Sequence, residues 1–271
     1  MDNSAGAALA SVSVTSSQNG NTDTAISEKL VPKQSAAYSY AADGRLKSDD
    51  YINYTWDAEN RLISQETIAS AATAGVAEIK VDYQYDYLSR RVGRQAYKRV
   101  SGSWVLQESH VFVFDGWNIV GQWTASGDLE KSFLWGIDLS NTVGGGGGAG
   151  GLACITVHGS GSESYFASSN GSGSVGALTD AGTGEATASY DYDPFGNLLA
   201  TAGAMADVNP FRFGTQWHDG HTGKVLYTFR VYDPVTGRWL SRDPLGESVD
   251  LNQYAFLGSS PIASADLLGL S

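Results

Sequence analysis

One unit recurs along this chain and constrains its fold more than any other feature. An aromatic residue, any residue and a second aromatic precede an Asp, a turn holding Gly or Asn, and a basic or apolar pair. The copies are Tyr38-Ser39-Tyr40-Ala41-Ala42-Asp43-Gly44-Arg45-Leu46, with its Asp displaced, and Tyr54-Thr55-Trp56-Asp57-Ala58-Glu59-Asn60-Arg61-Leu62. Three more begin at Tyr83, Phe112 and Tyr190, and Tyr165-Phe166 reads as a degenerate one. Aromatics two apart share one face of a strand. The Asp accepts from backbone N–H groups ahead of it and opens a turn, and Gly or Asn supplies the positive φ. Each copy therefore reads as a β-hairpin. The starts at 38, 54, 83, 112 and 190 give spacings of 16, 29, 29 and 78, which predicts hairpins stacked into one sheet with aromatic ladders on a face.

Composition agrees. The 271 residues include 33 Gly, 7 Trp, 14 Tyr and 9 Phe, and only 17% are charged. That is too aromatic for a disordered chain and lacks the Gly-X-Y period of collagen. The net charge of −12 argues against a nucleic-acid partner and against docking on anionic lipid. No apolar stretch approaches the roughly 20 residues of a membrane span. Residues 1–36 carry no basic region followed by an apolar one, so no signal peptide is seen. They read as a disordered leader. The chain is expected to be secreted or at the cell surface by a non-Sec route, or else cytoplasmic before delivery. Cys154 lies in an apolar run and reads as a small core residue.

The remaining organisation follows. Residues 37–142 read as hairpin repeats, with Ala69 to Ala77 a loop. Residues 143–185 form a Gly/Ser-rich connection, whose Gly144 to Gly151 stretch reads as flexible. From 186 to 271 the texture suits a compact terminal domain. There Asp233-Pro234 with Gly237, and Asp243-Pro244-Leu245-Gly246, are turn signals. His218 and His221 lie close together without thiolates, so no metal site is expected, and no cofactor motif occurs.

The block Phe211 to Leu270 resembles the Rhs-associated core domain of Rhs/YD-repeat proteins, and the upstream units resemble that family's Tyr-Asp repeats. The resemblance covers about residues 38–270. It implies a mainly β fold, with repeat hairpins in a curling antiparallel sheet that ends in a compact core domain. It also implies a shell that encapsulates or presents a C-terminal toxin segment, and an aspartyl-type autoprotease acting once on its own C-terminus. Carried over, Asp243 matches the family's motif Asp, and Arg230 matches the Arg implicated in self-cleavage. Asp266-Leu267-Leu268-Gly269-Leu270 matches the terminal motif, placing the scissile bond between Leu270 and Ser271. The usual Pro after the Asp is Leu267 here, which loosens that turn. Peptide hydrolysis by carboxylates uses a pair, and Asp219 is nominated as the second over Asp233. A neighbouring Arg can stabilise the oxyanion.

Expected partners are the toxin segment or further upstream YD repeats. Two other classes fit the same residues. Aromatic ladders suit a carbohydrate-binding or adhesion module that takes glycans. The family's shells use many more repeats than these, so an inactive orphan fragment of a longer gene is the third.

Overall fold

The computed structural model describes residues 8–18, 21–31, 37–248, 251–262 and 264–270. Over part of the expected leader, β1 (Ala8–Gln18) and β2 (Asn21–Val31) pair as an antiparallel hairpin. Gln18 faces Asn21, a pairing that the low aromatic content of the segment concealed. The rest of that leader lies outside the described residues.

Fourteen strands then form a single antiparallel meander, each paired with its neighbours in sequence. The first repeats give β3 (Ser39–Tyr40), β4 (Leu46–Ser48), β5 (Ile52–Trp56) and β6 (Leu62–Thr67). A one-turn helix, α1 (Ala69–Thr73), replaces part of the expected loop, because three of its five residues are alanine, the best helix former. The sheet continues through β7 (Ile79–Tyr85), β8 (Arg91–Val100), β9 (Ser103–Asp115), β10 (Asn118–Thr124) and β11 (Leu129–Trp135). Its last strands are β12 (Leu152–His158), β13 (Ser162–Ser169), β14 (Val175–Asp180), β15 (Ala186–Tyr192) and β16 (Leu198–Ala202). Pairing thus runs without a break across 143 and 186, where composition suggests boundaries. Backbone ladders tolerate the Ser, Thr and Ala of these strands. β17 (Trp217–His218), β18 (Val225–Leu226), β19 (Val231–Asp233) and β20 (Arg238–Trp239) form a separate small sheet.

The repeat physics is visible in the turns. Asp57 Oδ1 accepts from the N–H groups of Glu59 and Arg61, both at 2.9 Å, and Asp86 Oδ1 from those of Leu88 and Arg90 at 2.9 and 3.0 Å. Asn60 takes φ 68° in the first of these turns. Hairpins are then tied to one another twice. The second aromatic of a copy reaches back to the preceding hairpin: Trp56 Nε1 donates to the Leu46 carbonyl at 2.7 Å and Tyr85 Oη to that of Leu62 at 2.8 Å. The arginine of a copy reaches forward. Arg45 Nη1 donates to the Asp57 carbonyl at 2.6 Å, Arg61 Nη1 to that of Asp86 at 3.1 Å, and Arg90 Nη1 to that of Gly116 at 3.1 Å.

The first aromatics Tyr54, Tyr83, Phe112 and Tyr190 are buried on one face of the sheet. They pack with Ile155, Leu178 and the chain after β16, including Phe211, Trp217, Leu226 and Val231. A second cluster inside the terminal domain stacks Phe213, Tyr227, Tyr232, Trp239 and Phe256. Cys154 turns to the other face, opposite exposed Phe166, while its neighbour Ile155 fills the core. Alternation along β12 decides this, so Cys154 is not the core residue its apolar neighbours suggest.

The back-reaching aromatics are testable. Tyr85→Phe removes one donor and should lower unfolding free energy by about 1 kcal/mol. Tyr87→Phe, at a side chain 89% exposed, should change nothing. Urea denaturation of both variants measures the difference.

Candidate functional site

Arg230 follows the strand turn Leu226-Tyr227-Thr228-Phe229 and is buried to within 3%. Its guanidinium carbon stands 4.1 Å from the centroid of Trp239. Nη2 lies 2.8 Å from Oδ2 of Asp243 and 3.5 Å from Oδ2 of Asp266. Nε donates to the Gly269 carbonyl at 2.6 Å. One cation thus collects the motif Asp, the terminal-motif Asp and the backbone one residue before Leu270. Burial lowers the guanidinium pKa, and Asp243 and Asp266 offset that only in part.

Each carboxylate is held by its own turn. Asp243 Oδ1 accepts from the Leu245 N–H at 2.8 Å, and its carbonyl accepts from Gly246 at 3.0 Å. Asp266 Oδ1 accepts from the N–H groups of Leu268, Gly269 and Leu270 at 3.2, 2.7 and 3.1 Å. Those three bonds hold the turn that Leu267, replacing Pro, cannot pre-set. The Leu268 carbonyl accepts from Phe229 at 3.1 Å, and the Leu267 carbonyl from Gln216 Nε2 at 3.3 Å. Gly269 takes φ 84°, and a Cβ there would sit 3.2 Å from Arg230 N. Beside the motif, burial and then Asp266 push the Tyr227 hydroxyl pKa well above its ordinary value.

Asp219 belongs to a different place. It is fully buried, and its Oδ2 accepts from Arg94 Nε and Tyr83 Oη, each at 2.9 Å. Its Oδ1 accepts from the N–H groups of His221 and Thr222 at 3.0 and 3.3 Å. These partners make it the bolt between sheet and terminal domain, and Asp266, not Asp219, shares Arg230 with Asp243. Its carboxyl pKa is lowered: burial, the largest influence, raises it and is outweighed by Arg94, Tyr83 and the turn amides. Asp233 is likewise occupied, with Lys224 Nζ at 3.0 Å and Thr236 Oγ1 at 3.0 Å. The sequence places Asp266 in the terminal motif but not beside Asp243, because 23 residues separate the two and only the fold brings both to Arg230. Ser271, the far side of the expected scissile bond, lies outside the described residues.

Beside Arg94, the partner of Asp219, a polar cavity of about 590 Å³ opens between β8–β11 and the 207–221 segment. Glu108 stands 2.7 Å from Arg94 and 3.3 Å from His221, and His110 Nδ1 2.7 Å from Glu130. The bond to Glu108 raises the His221 pKa, whereas burial pushes His218 down to about 4. Among the described residues no group of three or more His, Cys, Asp or Glu is arranged to hold a metal ion. No helix of the described residues is long and apolar enough to cross a membrane.

A meander of repeat hairpins, with its apolar face covered by a terminal domain, defines a β-shell protein. The family profile described as Teneurin YD-shell matches residues 152–262. The chain is 27% identical over 256 residues to the tRNA nuclease WapA of Bacillus subtilis, covering 93% of this chain and 10% of that protein. It is 27% identical over 255 residues to double-stranded DNA deaminase toxin A of Burkholderia cenocepacia, covering 90% and 17%. It thus spans under a fifth of either relative. The crystal structure of TcdB2-TccC3 superposes with TM-score 0.63 at 15% identity, over 95% of this chain and 14% of that one. These matches ally the chain with the Rhs/YD-shell proteins, the profile itself covering residues 152–262.

Asp219→Asn separates the bolt from the Arg230 site. It leaves Arg94 only the partly exposed Glu108 as counter-charge, and should cost about 3 kcal/mol in chemical denaturation. Wild-type stability for this variant would remove Asp219 from that role.

Proposed function

We propose that this chain is the part of an Rhs shell that encloses or presents a toxin-type C-terminal segment, and that it releases the segment by one cut after Leu270. The observation that carries the reading is the convergence of Asp243, Asp266 and the Gly269 carbonyl on Arg230. The toxin names of the relatives support a toxin cargo. Their nuclease and deaminase activities are those proteins' own.

Water adds across the Leu270–Ser271 bond in this reading. Asp266 Oδ1 takes three N–H groups of the terminal motif and clamps the strand, whereas Asp243 Oδ1 takes one, so this reading gives the proton exchange to Asp243. It takes a proton from water as the oxygen attacks the Leu270 carbonyl carbon. Arg230 stabilises the oxyanion. Asp243 then returns the proton to the departing Ser271 nitrogen, leaving a carboxylic acid on Leu270 whose proton passes to the released amine or to water. The strand is already docked, so the intramolecular geometry provides a high effective concentration. Delivery to a target cell would follow secretion.

The test is intact-mass analysis of the chain extended past Ser271 by a reporter segment. The wild type should yield two species, and Asp243→Asn one, with both folded alike by circular dichroism. Equal cutting of the two would remove Asp243 from the reaction, and an uncut wild type would remove the reaction itself.

A further inference from the structure

The run Gly144 to Gly151 reads as a flexible connection in the sequence, yet the fold packs it. Asp138, only 4% exposed, accepts on Oδ2 from Gly146 N at 2.7 Å and Gly148 N at 3.3 Å. Leu139 N donates to the Ala149 carbonyl at 2.9 Å, and Gly150 N to Thr215 Oγ1 at 3.0 Å. Gly146, Gly148, Ala149 and Gly151 are buried. The absence of side chains is what permits this: a Cβ on Gly148 would meet the Trp135 ring at 2.4 Å. Burial, the largest influence on the Asp138 carboxyl, raises its pKa, and the donors from Ser140, Gly146 and Gly148 outweigh it and hold it low.

The loop's outer side touches the terminal motif. Gly147 has φ 63°, and a Cβ there would lie 2.7 Å from Leu268 Cδ2 and 2.9 Å from the Leu267 carbonyl oxygen. Gln216, next to the Thr215 that anchors Gly150, holds the same Leu267 carbonyl. The loop and the scissile segment are therefore in direct contact at Leu267 and Leu268, two to three residues before Leu270.

We propose that the Asp138-anchored glycine loop is a positioning device for self-cleavage, a seat that fixes the register of residues 267–270. It rests on the cleavage reading above for its purpose, but its contact with the motif stands apart from it. Gly147 and Asp138 touch no reacting atom; they set where Gly269 meets Arg230 and hence where Leu270 presents its carbonyl. The seat also selects the motif, since it leaves clearance for the Leu268 side chain and none for a residue on its own side.

The experiment uses the full chain with a reporter after Ser271 and two readouts: the rate of cutting, and hydrogen exchange across 266–270. Gly147→Ala should slow cutting about a hundredfold, the cost of displacing a reacting group by about an ångström, and should raise exchange at 268–270. Gly116→Ala, at φ 57° with nothing within 4 Å, imposes similar backbone strain and should leave both readouts unchanged. Adding Leu268→Ala to Gly147→Ala should restore part of the rate, whereas two merely destabilising changes would compound. Should Gly147→Ala fail to fold, Asp138→Asn weakens the same loop and is read the same way. Wild-type exchange across 266–270 in the loop variant overturns the seat, whatever the cutting. An uncut wild type whose exchange still rises on Gly147→Ala overturns the cleavage reading and leaves the seat.

Discussion

A sheet of fourteen strands with one apolar face must have that face covered, and the rest of this structure depends on how that is done. Tyr54, Tyr83, Phe112, Ile155 and Leu178 would otherwise lie open to water along the meander. The chain after β16 folds back over them with Phe211, Trp217, Leu226 and Val231, and apolar burial of this kind is the main favourable term in folding. Edge-to-face contacts such as Phe133 with Phe211, centroids 4.9 Å apart, orient the two layers. The buried Arg94–Asp219 pair fixes their register, because a misplaced lid would leave Asp219 without its cation and Arg94 with only Glu108.

The same constraint explains the repeat. A single hairpin cannot bury its aromatics, so each copy must engage its neighbours. The aromatic reaching back and the arginine reaching forward do this through backbone carbonyls, which every neighbour possesses. The repeat can therefore vary in its side chains and spacing without losing the interlock. The last element of the lid is the terminal motif, so the act of covering the core also delivers residues 266–270 to Arg230.

Hairpins, turns and the inward aromatics were legible because their signals are local: an Asp accepting from amides two and four residues on, aromatics two apart, a turn residue with positive φ. The continuity of the sheet through 152–180 was not, since backbone pairing leaves little trace in Ser- and Gly-rich strands. The resemblance gave Asp243 and Arg230, which the fold brings together. It could not give Asp266 as their partner, or show that Asp219 is spent on Arg94, because those pairings join segments tens of residues or more apart. The glycine run misled most: composition shows missing side chains, and only packing shows what fills the space they vacate.

We propose that this arrangement hydrolyses the Leu270–Ser271 bond with water. The most direct measurement is to fold the extended chain in water enriched in heavy oxygen and sequence both products by mass spectrometry. The account predicts a single heavy oxygen on the new Leu270 carboxylate and a released segment beginning at Ser271. A cut at any other bond, or a Leu270 terminus without the label, would contradict it.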